Sequence, residues 1–258
     1  MTGKILTPRE IRRYSRQIMI PEIGREGQEK LKQARIIVVG AGGLGSPVLQ
    51  YLTAAGVGKI GIVEFDRVDE TNLQRQVLYG TIDVGKLKSI IAIKRLEHLN
   101  TLVETEIINL RLDAGNALRI FKNYDIIVDS TDNFEARYII NDSCVILNKP
   151  MVHGSIYKFE GQVSVFNYNS GATYRCYNPY KQRSGLKDPD PAETGILGVL
   201  PGITGMLMAN EVIKIITGCG EILSGKVLLF NIARLTFSVI KIKNIPENHN
   251  IREVKINQ

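Results

Sequence analysis

The chain has 258 residues, 44% of them hydrophobic and 23% charged, with a formal net charge of +7 and a pI near 9.2. That composition suits a globular protein with a sizeable buried core, and it excludes collagen-like, low-complexity and disordered classes. Three scattered cysteines (Cys144, Cys176, Cys219) and three scattered histidines (His98, His153, His249) include no CxxC pair, so neither a disulfide framework nor a metal cluster is expected.

In chain order, the N-terminal MTGKILTPREIRRYSRQ is polar and basic, with no apolar signal region. Arg35–Val39 (RIIVV) reads as a fully buried strand, and a helix from about Gly45 to Ala55 follows it. Lys59–Glu64 is a second strand, Val84–Leu99 a helix, and Val103–Ile108, Asp125–Asp129 and Pro150–Val152 complete a set of strands separated by helices. This alternation predicts an α/β fold, a Rossmann-like and mainly parallel sheet covered by helices. Beyond Ser155 the pattern changes. Gly161–Tyr168 and Thr173–Cys176 read as strands joined by a turn at Asn169-Ser170-Gly171, then a polar loop spans Asn178–Glu193. A helix from about Gly202 to Thr217 and strands Lys226–Asn231 and Leu235–Lys241 extend the sheet with antiparallel strands. The most apolar stretch, Ile196–Met208, is interrupted by Gly198, Pro201, Gly202 and Gly205, so a cytoplasmic protein without a membrane partner is expected. One continuous domain over 1–258 is expected, with a nucleotide-binding part over about 30–153 and a C-terminal part over about 154–245.

Gly40-Ala41-Gly42-Gly43-Leu44-Gly45 lies between the first strand and its helix, the context in which such a loop presents backbone N–H groups to phosphate. Glu64 ends the next strand, where a ribose-hydroxyl acceptor is expected, and Asp66 lies two residues on. By itself this loop announces a nucleotide without choosing one, and a dinucleotide-dependent oxidoreductase is its default reading.

Further segments redirect it: Glu70-Thr71-Asn72-Leu73-Gln74-Arg75-Gln76, Arg12–Ile18 (RRYSRQI), Val84–Lys88 (VGKLK), Val128–Arg137 (VDSTDNFEAR) and Glu160–Phe166 (EGQVSVF). Together and in this order they resemble the MoeB/ThiF/HesA family, bacterial relatives of ubiquitin-activating enzymes, from about Arg9 to Ile240. The resemblance implies ATP-dependent adenylation of the C-terminal glycine of a small ubiquitin-like sulfur carrier (MoaD- or ThiS-like, ending in Gly-Gly), for molybdopterin or thiamin biosynthesis. It also implies that Arg75 and Lys88 clamp the phosphates while Asn72 and Gln74 position them. On the same resemblance Arg16 would reach the terminal phosphate from the neighbouring subunit of a homodimer, and Asp132 would hold Mg²⁺. Thr71, Leu73 and Asn133 complete the implied ATP site with Gly40, Gly42, Gly43, Gly45, Glu64 and Asp66.

Many family members carry two zinc-binding CxxC pairs. Here Thr173 stands at the partner position of Cys176 and the tail IREVKINQ has no cysteine, so no structural zinc is expected. Asp190–Leu197 (DPAETGIL) lacks the thiol that a covalent carrier adduct requires. The reaction is therefore expected to stop at the adenylate, with sulfur supplied by a separate donor protein and the polar loop serving as a lid over the carrier's tail. Three alternatives stay open: an ATP-dependent tRNA threonylcarbamoyladenosine dehydratase of the same superfamily, an NAD-dependent oxidoreductase, and a silent binding module. The basic residues form no single run, and nucleic acid is not expected as a partner.

Overall fold

The structure, a computed structural model, describes residues 5–179 and 195–254. The elements in chain order are α1 (Pro8–Arg13), α2 (Ser15–Ile18), α3 (Gly24–Gln33), β1 (Arg35–Val39), α4 (Gly45–Ala55), β2 (Lys59–Val63), α5 (Lys88–Leu99), β3 (Glu104–Ile108), α6 (Ala117–Phe121), β4 (Ile126–Asp129), α7 (Phe134–Ile146), β5 (Met151–Tyr157), β6 (Glu160–Phe166), α8 (Tyr174–Tyr177), α9 (Val199–Thr217), β7 (Lys226–Asn231) and β8 (Thr236–Lys241). All eight strands form one sheet, ordered β3-β2-β1-β4-β5-β6-β7-β8. The first five pair in parallel, and β5 through β8 continue antiparallel.

The continuous apolar runs of β1 and β4 follow from burial on both faces. Ile36, Val38, Ile126 and Val128 point into a core built with α4, α5 and α9. Ile37, Val39 and Ile127 point the other way, among Phe121, Tyr138 and Ile140 of α6 and α7. Side chains alternate across a strand, so two buried faces require every position to be apolar. α9 is long and apolar enough to cross a membrane by length and composition. It packs against α3, α4, β5 and β6, with Leu200, Met208 and Val212 in the core.

Two expected elements are corrected. Thr173–Cys176 is not a strand: Tyr174–Tyr177 forms the short helix α8. Both edges of β6 are already taken by β5 and β7, so a further strand has no free hydrogen-bonding edge there. Tyr174 is instead drawn into the core, its N–H donating to Asn141 Oδ1 at 2.8 Å. The helix expected from Val84 begins at Lys88. Gly85 adopts φ +81°, and the backbone over 85–87 bonds back to residues 67 and 68, which precludes helical bonding. β5 extends beyond Val152 to Tyr157 because it pairs with β6 along its full length. Three helices precede β1 where the sequence suggested none. Thr7 and Glu10 form a capping box and Pro8 opens α1, a local start signal carried by the sequence. Residues 180–194, which hold most of the expected lid, lie outside the described residues.

Candidate active site

From β1 the chain turns to β2 on one side, while β4 lies on the other. The crevice at the carboxyl ends of β1 and β4 is thus the switch point where open α/β sheets bind ligands. A cavity of about 900 Å³ opens there, large enough for a nucleoside triphosphate with room for a second substrate.

The glycine loop forms its wall. Gly40 takes φ +91° and donates its N–H to Val63 O at 2.9 Å. A Cβ on Gly45 would stand 2.1 Å from Gly40 O, so the turn closes only with glycine there. Ala41 is held on both sides: its N–H donates to Glu64 Oε2 at 2.9 Å, and its carbonyl accepts from Tyr79 Oη at 2.8 Å. Burial, with Glu64 nearby, pushes the Tyr79 hydroxyl above its ordinary pKa and keeps it a donor. Glu64 Oε1 also accepts from the N–H groups of Phe65 and Asp66 at 2.8 and 2.9 Å. Glu64 therefore ties the loop to the end of β2, a task its expected ribose contact did not include.

One side of the cavity is cationic. Lys88, the first residue of α5, is only 5% exposed and lies 3.6 Å from Asp66. Arg75 Nη1 donates to Thr71 O at 3.1 Å. Gly40, Gly42, Gly43, Glu64, Asp66, Thr71, Gln74, Arg75 and Lys88 all line the cavity. Beyond β4, Asp132 and Asn133 line it too. Asn133 is the N-cap of α7, accepting from Ala136 N–H at 2.9 Å. Asp132, which could have been that cap, is left exposed to the cavity.

Four expected contacts fall outside the lining. Gly45 acts through loop closure, and Leu73 packs against the core. Asn72 donates from Nδ2 to Thr71 Oγ1 at 3.3 Å. Arg16, on α2, is exposed and does not line the cavity of its own chain. Sequence reasoning missed Arg111 and Arg137, which add two cations to the lining. Arg137 lies within the VDSTDNFEAR segment, so its presence was legible. Arg111 sits in irregular chain after β3, with no local signal.

The residues present fit ATP with Mg²⁺. Four cations and the loop's N–H groups match a triphosphate. No group of three or more His, Cys, Asp or Glu side chains that could hold a metal ion occurs among the described residues. Magnesium typically uses one or two carboxylates together with substrate phosphates, and Asp132 offers one. None of the three cysteines lines the cavity: Cys144 is buried, and Cys176 and Cys219 are half-buried elsewhere.

Known proteins place this architecture. A sulfur carrier protein adenylyltransferase of Thermus thermophilus is 49% identical over 245 residues, 93% of this chain and 90% of that protein. A Porphyra purpurea protein named "Probable molybdopterin-synthase adenylyltransferase" is 49% identical over 233 residues, 90% of this chain but 61% of its own length. The microcin C7 biosynthetic enzyme MccB in complex with N-formylated MccA superposes with a TM-score of 0.81 over 91% of this chain and 73% of that one, at 24% identity, a likeness of fold. The ThiF family description matches residues 14–251, and the chain belongs to the ThiF family.

Proposed function

We propose that the chain is an ATP-dependent adenylyltransferase acting on the C-terminal glycine carboxylate of a small ubiquitin-like sulfur carrier, for molybdopterin or thiamin biosynthesis. One observation carries the reading. A single cavity joins a glycine loop, the cations Arg75 and Lys88, and the exposed carboxylate of Asp132, in a chain 49% identical to a sulfur carrier protein adenylyltransferase.

In this reading a carrier carboxylate oxygen attacks the α-phosphorus of ATP. The bond from that phosphorus to the bridging oxygen breaks, pyrophosphate leaves with the electron pair, and an acyl-adenylate remains. The barrier is electrostatic: an anion must approach a polyanion, and charge grows on the leaving group. Arg75 and Lys88 oppose that charge, and Gln74 orients the phosphates. Asp132 would hold a magnesium ion, which would supply charge neutralisation of the phosphates when bound. Glu64 and Asp66 face the ribose. Ser155, Ile156 and Ile196 line the cavity toward β5, the side from which the carrier's tail enters. With no cysteine in the lining, the product is the free acyl-adenylate, and a separate donor protein supplies sulfur. An acyl adduct trapped on Cys176 or Cys219 during turnover contradicts that last step.

The test is ATP–pyrophosphate exchange with Gly-Gly-ended carriers of the MoaD and ThiS types. Exchange is expected only with a carrier whose terminal glycine is intact. Its absence with every carrier, or ATP consumption that depends on tRNA instead, overturns the assignment.

The exposure of Arg16 supports a homodimer in which it completes the partner's cavity. Arg16→Ala and Lys88→Ala subunits, each inactive alone, are then expected to regain roughly a quarter of the wild-type exchange when mixed, because half the dimers are hybrid and each hybrid has one intact site. No recovery would mean that Arg16 acts within its own chain.

A further inference from the structure

Asp129 and His153 are a buried polar pair that the proposed chemistry does not use. They face each other across the parallel pairing of β4 and β5, at 0% and 2% exposure. His153 Nδ1 lies 2.7 Å from Asp129 Oδ2. The imidazole packs among Phe166 and Tyr174, with ring centroids 5.8 and 5.1 Å away. Burial holds its pKa below the ordinary histidine value, although Asp129 opposes that shift. An ionised carboxylate only accepts hydrogen bonds, so Nδ1 carries the proton and donates.

The other oxygen of Asp129 leads to the site. Asp129 Oδ1 accepts from Thr131 N–H at 3.0 Å and from Thr131 Oγ1 at 2.6 Å. Thr131 O accepts from Arg137 Nη2 at 3.2 Å. Ser130 Oγ contacts Val39 O and Gly40 O at 2.7 and 2.6 Å, which joins this turn to the glycine loop. Asn133 is engaged as the α7 cap. Asp132 is thus the member of the 130–133 turn with no side-chain hydrogen bond among the described residues, and it projects into the cavity from a backbone fixed on both sides.

We infer that His153 is a positioning residue: by holding the Asp129 carboxylate against Thr131, it fixes the turn that presents Asp132 to the cation accompanying the nucleotide. The inference rests on the adenylating reading of the cavity. Groups that orient a ligand from behind typically affect metal affinity 10- to 100-fold, and a turn released from Asp129 loses that preorganisation.

The experiment is calorimetric titration of the full chain with ATP, with and without Mg²⁺. His153→Phe suits the aromatic surroundings and removes the donor. His153→Asn returns an N–H on the same branch point as Nδ1. The Phe variant is expected to bind Mg·ATP about 10-fold more weakly than wild type while metal-free ATP binding stays within about 2-fold. The Asn variant is expected to recover most of the loss. Thr131→Val, which removes the hydroxyl that Asp129 holds, should reproduce the Phe variant and serves in its place if that variant does not fold. Equal weakening with and without Mg²⁺, or equal loss in the Phe and Asn variants, reduces His153 to a structural role and overturns the inference. Unchanged Mg·ATP affinity in both His153→Phe and Thr131→Val overturns it as well. If wild type itself binds no ATP, the adenylating reading fails and the inference fails with it.

Discussion

Lys88→Gln is expected to lower carrier-dependent pyrophosphate exchange by about 10²- to 10³-fold, the scale seen when one preorganised transition-state donor is removed. Lys88 is a costly residue for folding. Its side chain is 6% exposed, and its ion-pair partner Asp66 is 56% exposed and 3.6 Å away. A buried ammonium so loosely paired retains much of its desolvation penalty. It also sits in the first turn of α5, where the helix dipole disfavours a cation. Both penalties fall away if the charge serves an anion in the cavity. The same substitution is therefore expected to leave the melting temperature unchanged or raise it, a trade of stability for activity. Exchange within about 3-fold of wild type would remove Lys88 from the phosphate site.

The second large effect separates the glycines by task. Gly45→Ala puts a Cβ 2.1 Å from Gly40 O, 3.0 Å from Gly40 C and 3.1 Å from Ser130 Oγ. Two of these are backbone atoms of the loop itself, so no side-chain rotation relieves the clash. The loop must open or the start of α4 must move, at about 3 kcal/mol, the upper part of the usual overpacking range. Chemical denaturation should register that loss, and nucleotide binding should fall with it. Gly42→Ala is the contrast. Its Cβ would meet nothing closer than Gln76 Nε2 at 3.5 Å, yet Gly42 lines the cavity. It is expected to fold like wild type and still bind ATP more weakly, because the methyl group occupies the space through which phosphate approaches the backbone. If Gly45→Ala were as stable as wild type, the closure argument for that glycine would be wrong.

The sequence was most legible where function is local. Strand, tight turn and helix follow one another over Arg35–Ala55, so chain chemistry alone announced the glycine loop. Arg75, Lys88 and Asp132 stood in short segments whose family resemblance pointed to a cavity, and all three line it. Reading failed where a neighbour distant in sequence decided the outcome. Thr173–Cys176 has the composition of a strand, but no edge of β6 remained for it. Val84 looked like a helix start until the backbone of 85–87 turned back toward residues 67 and 68.

By itself, then, the sequence determined an α/β chain with a glycine turn after its first strand, because periodicity and glycine turns express short-range sterics, while the cations that line the cavity were pointed to by family resemblance. Only the tertiary structure decided how that site is held rigid. Ser130 reaches Val39 and Gly40 across some ninety positions of chain, and His153 reaches Asp129 across 24. Those bonds exist because parallel pairing sets the carboxyl end of β4 beside the end of β1 and beside His153 within β5, a proximity set by strand order that no local pattern encodes.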